Sequence, residues 1–157
     1  MKESDAPERF RMKITLPDQT RLSASDLLAS RSGLSRSRIK DAMKKGAVWL
    51  KRKGTGRRRL RKASFVLKKG DVIELHYDPL VLSVNPPEAS CLKDYGQYSI
   101  WFKPSGLLTQ GTEFGDHGTL LRQAEVHFKS RRRVFPVHRL DREAAGLIMI
   151  AHSRKAA

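Results

Sequence analysis

Between Arg31 and Lys69 the chain carries sixteen basic residues and a single acid, Asp41, yet the stretch is punctuated like a folded domain. That combination most limits what the chain can become, because a charge run without apolar periodicity stays solvated and disordered. Ser23-Ala-Ser-Asp26 has the form of a capping box, and Ala24, Leu27 and Leu28 fall at i, i+3 and i+4, which predicts a short helix to about Arg31. Gly33 ends it. Ser35 caps a second helix, whose Ile39, Ala42 and Met43 make an apolar face and which stops at Gly46. Arg36, Lys40 and Lys44 are spaced by four and form a row of cations beside that apolar row. Ala47–Lys51 and Val72–Tyr77 read as strands, the second introduced by a Gly70-Asp71 turn and alternating Ile73, Leu75 and Tyr77. Phe10, Met12 and Ile14 alternate with Arg11, Lys13 and Thr15, predicting a strand that joins the same sheet.

The distribution of charge narrows the partners. Lys and Arg total 32 against 16 Asp and Glu, a formal +16, and nearly all of the excess lies in the segment just described. A field so concentrated attracts a polyanion, so RNA, DNA or an anionic membrane surface are the candidates. Membrane insertion is disfavoured, since no apolar run approaches the roughly 18 residues of a spanning helix. The start Met1-Lys-Glu-Ser-Asp-Ala-Pro-Glu-Arg lacks the apolar core of a signal peptide, and a lone Cys91 fits a reducing compartment, so a cytoplasmic protein is expected. DNA is the lesser choice, because no helix sits in a homeodomain or zinc-finger context. Five histidines, at 76, 117, 127, 138 and 152, are scattered without metal-ligand spacing, so no metal is expected.

From about Asp18 to Asp78 the sequence resembles the S4 RNA-binding domain. The likeness rests on Arg21-Leu22, the Gly-Leu-Ser-Arg-Ser-Arg helix start, Gly46-x-Val48 and Lys69-Gly-Asp-x-Ile73. It implies an RNA surface built from Arg36, Arg38, Lys40, Lys44 and Lys45. Where the family has a short strand connection, this chain has an expanded basic loop, Lys51-Arg-Lys-Gly-Thr-Gly-Arg-Arg-Arg-Leu-Arg-Lys62. Lys51, Arg52, Lys53, Arg57, Arg58 and Arg59 in it are either further RNA contacts or a solvated charge run. Its glycines lack the Gly-Lys-Ser/Thr ending of a P-loop, which argues against nucleotide binding. Trp49, an aromatic in a short strand, reads as core rather than a stacking platform.

Residues 81–93, with Asn85-Pro-Pro-Glu88, read as an extended linker. Beyond it, Phe135-Pro-Val-His-Arg-Leu-Asp-Arg-Glu-Ala-Ala-Gly146 is a loop leading into the apolar run Leu147–Ala151, a buried strand. Asp141 lies between Arg139 and Arg142, whose charge favours its ionised form, and an ionised carboxylate can act as nucleophile or base. Taken alone, such a triplet is a surface ion pair fixing a turn. The longer pattern says more. His138-Arg-Leu-Asp141, with Gly146-Leu147 downstream, resembles the active-site motif of the RNA pseudouridine synthases of the HRLD type. Tyr98-Ser-Ile-Trp-Phe-Lys-Pro-Ser-Gly-Leu-Leu108 is similar to that family's apolar strand and Lys-Pro-x-Gly turn. Ala144 and Ala145 depart from it, replacing the family's usual Thr-Ser.

The resemblance implies isomerisation of uridine to pseudouridine in rRNA or tRNA without cofactor, Asp141 being the essential carboxylate. Arg139 would fill the stack vacated by the extruded base or contact phosphate, pairing with Asp141 when no RNA is bound. His138 would support the loop. Lys103, Pro104 and Gly106 would shape the floor of the cleft, and Lys129-Ser-Arg-Arg-Arg133 would guide phosphates towards it or be solvated surface. Gln110–Thr119 is glycine-rich, with the composition of a mobile surface loop, so Asp116 and His117 receive no role, and the resemblance implies a helix starting near Thr119.

The expected fold is therefore α+β. Residues 1–17 form an N-terminal strand and extension, and 18–80 a small S4-like (αL motif) RNA-binding domain. After the 81–93 linker, 94–157 form the first part of a mixed or antiparallel-sheet pseudouridine synthase catalytic domain. So short a second part buries only a small core. His152-Ser-Arg-Lys-Ala-Ala157 reads like the cap and first turn of a helix, and the family supplies a Tyr and a basic residue from further along, so the chain is expected to be truncated within the catalytic domain. The competing reading is a non-catalytic S4-type RNA-binding protein associated with the ribosome or tRNA.

Overall fold

A computed structural model describes residues 7–18 and 20–157. The first six residues of the expected N-terminal extension, and Gln19 in the expected RNA-binding domain, lie outside them. The chain divides into two compact units, one running to Ser83 and including Glu113–Gly115, the other comprising Val84–Thr112 and Asp116–Ala157.

The first unit is a four-stranded antiparallel sheet with two main helices and a short third. Its strands are β1 (Phe10–Thr15), β2 (Val48–Lys51), β3 (Arg58–Arg59) and β4 (Val72–Tyr77), in the order β1-β4-β2-β3. Helix α1 (Ala24–Ser32) starts where the Ser23 side chain accepts the Asp26 N–H and stops at Gly33, whose φ of 76° a residue with a Cβ adopts only at a cost. Helix α2 (Arg36–Lys44) starts likewise at Ser35, which accepts the Arg38 N–H. Periodicity then dictates packing. Leu28, Ile39, Ala42 and Met43 are completely buried with Ile73 and Leu75 of β4, the alternate strand residues that face the helices. Each buried aliphatic side chain contributes ~1.5–3 kcal/mol, which lets a unit with so much repulsive charge stay folded. A short helix α3 (Pro79–Leu82), capped by Asp78, ends the unit.

The basic loop is more structured than its composition indicates. Arg58 and Arg59 pair with Leu50 and Trp49, Leu60 N donates to Val48 O, and Leu60 is buried. The single leucine in a run of cations supplies the anchor. The segment expected to be a mobile loop at 110–119 is likewise anchored, because Phe114 is buried edge-on to His76 in the first unit, with the Arg9 guanidinium 4.2 Å from its ring centroid.

The second unit is a four-stranded antiparallel sheet in the order β5-β6-β8-β7: β5 (Ser90–Asp94), β6 (Tyr98–Lys103), β7 (Phe135–Pro136) and β8 (Gly146–Ala151). Helix α4 (Leu120–His127) is capped by Thr119, where the family resemblance implies a helix start. Trp101, Ile148 and Ile150 pack with Leu107, Leu120 and Ala124 into its core. The expected linker needs correction at its end, since Ser90–Asp94 is an edge strand rather than free chain. Two further bonds tie it down, Ala89 N donating to Gln123 Oε1 and Gln123 Nε2 to Pro87 O. Ser153 also caps a turn, accepting the Ala156 N–H on its hydroxyl and the Ala157 N–H on its carbonyl.

Candidate active site

The segment Arg139–Ala145 has no regular structure of its own, so its shape is set by what holds its backbone. Thr109 grips it first, its hydroxyl donating to Leu140 O at 2.8 Å and accepting the Leu140 N–H at 3.2 Å. The turn after β6 grips it next. Gly106 N donates to Arg142 O at 2.7 Å, and the Ser105 hydroxyl donates to Glu143 O at 2.7 Å. Gly106 holds φ at 92°, a conformation open to glycine, and this aims its N–H at the loop.

Lys103 completes the grip from inside the protein. Its side chain is fully buried, and its ammonium donates to Leu107 O at 2.6 Å, Pro104 O at 3.1 Å and Arg142 O at 3.3 Å. Three donors meet three carbonyls, which satisfies the inventory of an ammonium and makes its burial tolerable. Burial pushes its pKa below the ordinary lysine value, while the charges of Glu143 and Asp141 pull the other way. Lys103, Pro104 and Gly106 thus form a platform for the loop, and sequence reading missed how completely Lys103 is buried.

Asp141 is held by its backbone, its carbonyl accepting the Ala144 N–H at 3.1 Å, and by its neighbours. The residue is exposed, and among the described residues its carboxylate makes no hydrogen bond or ion pair. The expected Arg139–Asp141 pair is absent: Arg139 is exposed and unpaired, and Arg142 bonds Glu143 at 3.1 Å. An adjacent carboxylate is the nearer partner for Arg142. His138 Nε2 accepts the Met149 N–H at 3.2 Å, which puts the proton of a neutral ring on Nδ1 and fastens the front of the loop to β8. The result is a fixed backbone presenting an unengaged carboxylate to solvent. Among the described residues no three His, Cys, Asp or Glu side chains are grouped so as to hold a metal.

A further network pins the chain just ahead of this loop. His152 Nδ1 donates to Arg133 O at 2.9 Å, the Ser99 hydroxyl meets Nε2 at 2.9 Å, and Trp101 Nε1 donates to Ser99 Oγ at 2.9 Å. Nothing in the sequence links Ser99 to a histidine 53 residues away. In the cluster at 129–133, Arg132 is committed to Asp94, with Nη1 2.7 and 2.8 Å from its two oxygens, while Lys129, Arg131 and Arg133 stay exposed.

The cations of the first unit sort into two groups. Arg38, Lys40 and Lys44 are exposed on α2, whereas Arg36 bonds Asp26 at 2.8 Å and Lys45 bonds both Asp41 and Leu82 O. In the basic loop Lys51, Lys53 and Arg58 are exposed. Arg52 instead makes two bonds, of 2.8 and 2.7 Å, to Asp71, whose pKa that guanidinium lowers. Arg57 pairs with Glu74 and Glu113, and Arg59 donates to Gly46 O. The two guanidinium groups each lie 4.2 Å from the Trp49 ring centroid, and Trp49 Nε1 donates to Glu113 O. Arg52, Arg57 and Arg59 therefore have structural partners of their own.

Residues 97–157 match the family model described as RNA pseudouridylate synthase. The chain is 32% identical over 135 residues to an uncharacterized RNA pseudouridine synthase of Mycoplasma genitalium, covering 82% of this chain and 42% of that protein. It is 30% identical over 131 residues to an uncharacterized RNA pseudouridine synthase of Aquifex aeolicus, covering 78% and 40%. A solved pseudouridylate synthase superposes at a TM-score of 0.30 and 19% identity, over 83% of this chain and 48% of that one. The match to the RNA pseudouridylate synthase model thus falls, Glu113–Gly115 apart, within the second unit, and the chain spans about two fifths of the length of the curated relatives it matches.

Proposed function

We propose that this chain acts in the isomerisation of uridine to pseudouridine within RNA, with Asp141 as the essential carboxylate. The observation that carries the reading is the loop itself: within the matched segment the backbone of Leu140, Arg142 and Glu143 is fastened, and of the two exposed carboxylates Glu143 is paired with Arg142 while Asp141 makes no hydrogen bond or ion pair. Fixing a nucleophile while leaving its charge uncommitted lowers the reorganisation needed to react. In the reaction the N1–C1' bond of the nucleotide breaks, the base turns, and C5 bonds to C1'. The C5 proton leaves and N1 gains one, so the product is an isomer and no cofactor is consumed. Asp141 either adds to C1' or removes a proton to form a glycal.

A uridine in folded RNA must first be extruded, at a cost on the order of a few kcal/mol. Arg139, exposed and unpaired two residues from Asp141, is placed to occupy the vacated stack. His138 holds the loop to β8 as a positioning residue. The first unit serves as an S4-type module that brings in rRNA or tRNA, with Arg38, Lys40 and Lys44 on α2 and Lys51, Lys53 and Arg58 on the loop meeting phosphates. A cytoplasmic location follows from that substrate.

The test is nucleoside chromatography of rRNA and tRNA incubated with the chain and with its Asp141→Asn form. Pseudouridine made by the first and not the second supports the reading. Retained, salt-sensitive RNA binding with no pseudouridine from either would favour the RNA-binding reading.

A further inference from the structure

The turn between β5 and β6 is built around two stacked tyrosines. Tyr95 and Tyr98 have ring centroids 4.8 Å apart and planes inclined by 22°, and Tyr95 remains 54% exposed although Tyr98 covers part of its ring. The turn is fixed. Tyr95 N donates to Tyr98 O, Gly96 N to Asp94 Oδ1, and His152 N to Gln97 O. The basic cluster reaches the same place, because Arg132 bonds both oxygens of Asp94, next to Tyr95, and the His152 ring holds Arg133 O. Lys129 and Ser130 turn the chain into the cluster with φ of 52° and 56°, a strained left-handed conformation for residues other than glycine. Lys93, with Nζ 6.0 Å from the Tyr95 centroid, and Arg131 are left exposed, as is Arg133, whose guanidinium lies 5.8 Å from the Phe135 centroid.

An exposed aromatic edge normally reflects incomplete burial, but here the turn's backbone bonds, the Asp94–Arg132 pair and the His152 contacts hold it on the same unit as exposed cations. We propose that Tyr95 is a stacking platform for one unpaired nucleotide of single-stranded RNA, with Lys93, Arg131 and Arg133 contacting the flanking phosphates. The partner's chemistry follows from the surface. Cations alone serve any polyanion, whereas an exposed ring extends its stack only onto a base already freed from a helix. Asp94 neutralises Arg132, so the steric order is base over Tyr95 and phosphates over the other three cations. This site deepens the RNA reading above and depends on it for its substrate, not for its chemistry.

The test is binding of a fluorescein-labelled oligouridylate, and of a matched RNA duplex, to the full chain across a salt series. Tyr95→Ala is expected to weaken the single strand about 5- to 150-fold, the equivalent of ~1–3 kcal/mol at 1.4 kcal/mol per tenfold, with the salt slope unchanged. Tyr95→Trp is expected to bind at least as well as Tyr. The Arg131→Gln, Arg133→Gln pair is expected to lower the salt slope by about 1.4, at 0.7 per phosphate. An oligonucleotide carrying 5-iodouridine should crosslink on irradiation to the peptide containing Tyr95. Affinity of Tyr95→Ala within twofold of wild type, an equal loss on the duplex, or Tyr95→Trp failing as Ala does would each overturn the proposal. The failures are separable: pseudouridine formed normally without Tyr95-dependent binding removes this site alone, and Tyr95-dependent binding without pseudouridine removes the synthase reading alone.

Discussion

Replacing Lys103 by Met removes the ammonium while keeping an unbranched chain of similar reach in a fully buried slot. Three charge-assisted bonds disappear, at 2.6, 3.1 and 3.3 Å. Such bonds contribute ~1.5–3 kcal/mol each at good geometry, so the short one plus the two longer ones counted together amount to ~3–6 kcal/mol. Burial already disfavours the charge, and removing it returns part of that sum, leaving a net loss of ~2–4 kcal/mol. The second unit alone should feel it. Native-state hydrogen exchange reads this directly: amides of β6 and β8 should lose protection by about 30- to 700-fold, while those of β2 and β4 keep theirs. Arg142 O retains the Gly106 N–H, so the Asp141 loop loosens without detaching, and turnover should fall about tenfold to a hundredfold at unchanged RNA affinity. The lowered pKa adds a sign. Between its depressed folded value and the ordinary 10.5, the unfolded chain binds more protons at Lys103, so this residue's contribution to stability rises with pH across that window. The deficit of the Met form should widen there. Protection in β6 and β8 within a factor of about three of wild type, or an equal loss in both units, would refute the reasoning.

Asp71→Asn should destabilise the first unit by ~3 kcal/mol, because it leaves Arg52 facing a neutral amide in a nearly closed site. The Asp71 carboxyl has a lowered pKa, so its contribution is present above the ordinary carboxylate pKa and is lost as pH falls through the depressed value; acid titration of wild type should show that loss and the Asn form should not. Lys40→Ala with Lys44→Ala should reduce the salt slope of single-stranded RNA binding by about 1.4, whereas Arg36→Ala, already paired with Asp26, should change it less, as anisotropy across a salt series will show. Gly106→Ala places a Cβ at φ of 92° and should cost the second unit ~1–2 kcal/mol in urea unfolding.

What the sequence revealed and what it hid divide by range. The caps at Ser23 and Ser35 and the alternation in β1 and β4 act within a few residues, so pattern alone located those elements, whereas the helix start at Thr119 came from the family resemblance. The HRLD and Lys-Pro-x-Gly segments were legible as motifs, and the structure adds that the second holds the first through Lys103 and Gly106. The misreadings were long-range. Pro86 and Pro87 suggested an extended linker through residue 93, yet Gln123 on α4 bonds Pro87 and Ala89, and the β6 ladder takes up the residues that follow. The arginines of the basic loop looked equivalent, but Asp71, Glu74 and Trp49 select Arg52, Arg57 and Arg59 for structural use. Arg139 beside Asp141 in sequence suggested an ion pair that the loop does not bring together. No local signal marks which of several cations an acid forty residues away will claim.

The claim that rests most directly on the structure is that the clamped loop presents Asp141 for reaction, and release of tritium from C5-labelled uridine in RNA tests it. The chain should release tritium, Asp141→Asn should release none while binding RNA with unchanged affinity, and release by Asp141→Asn at the wild-type rate would contradict the claim.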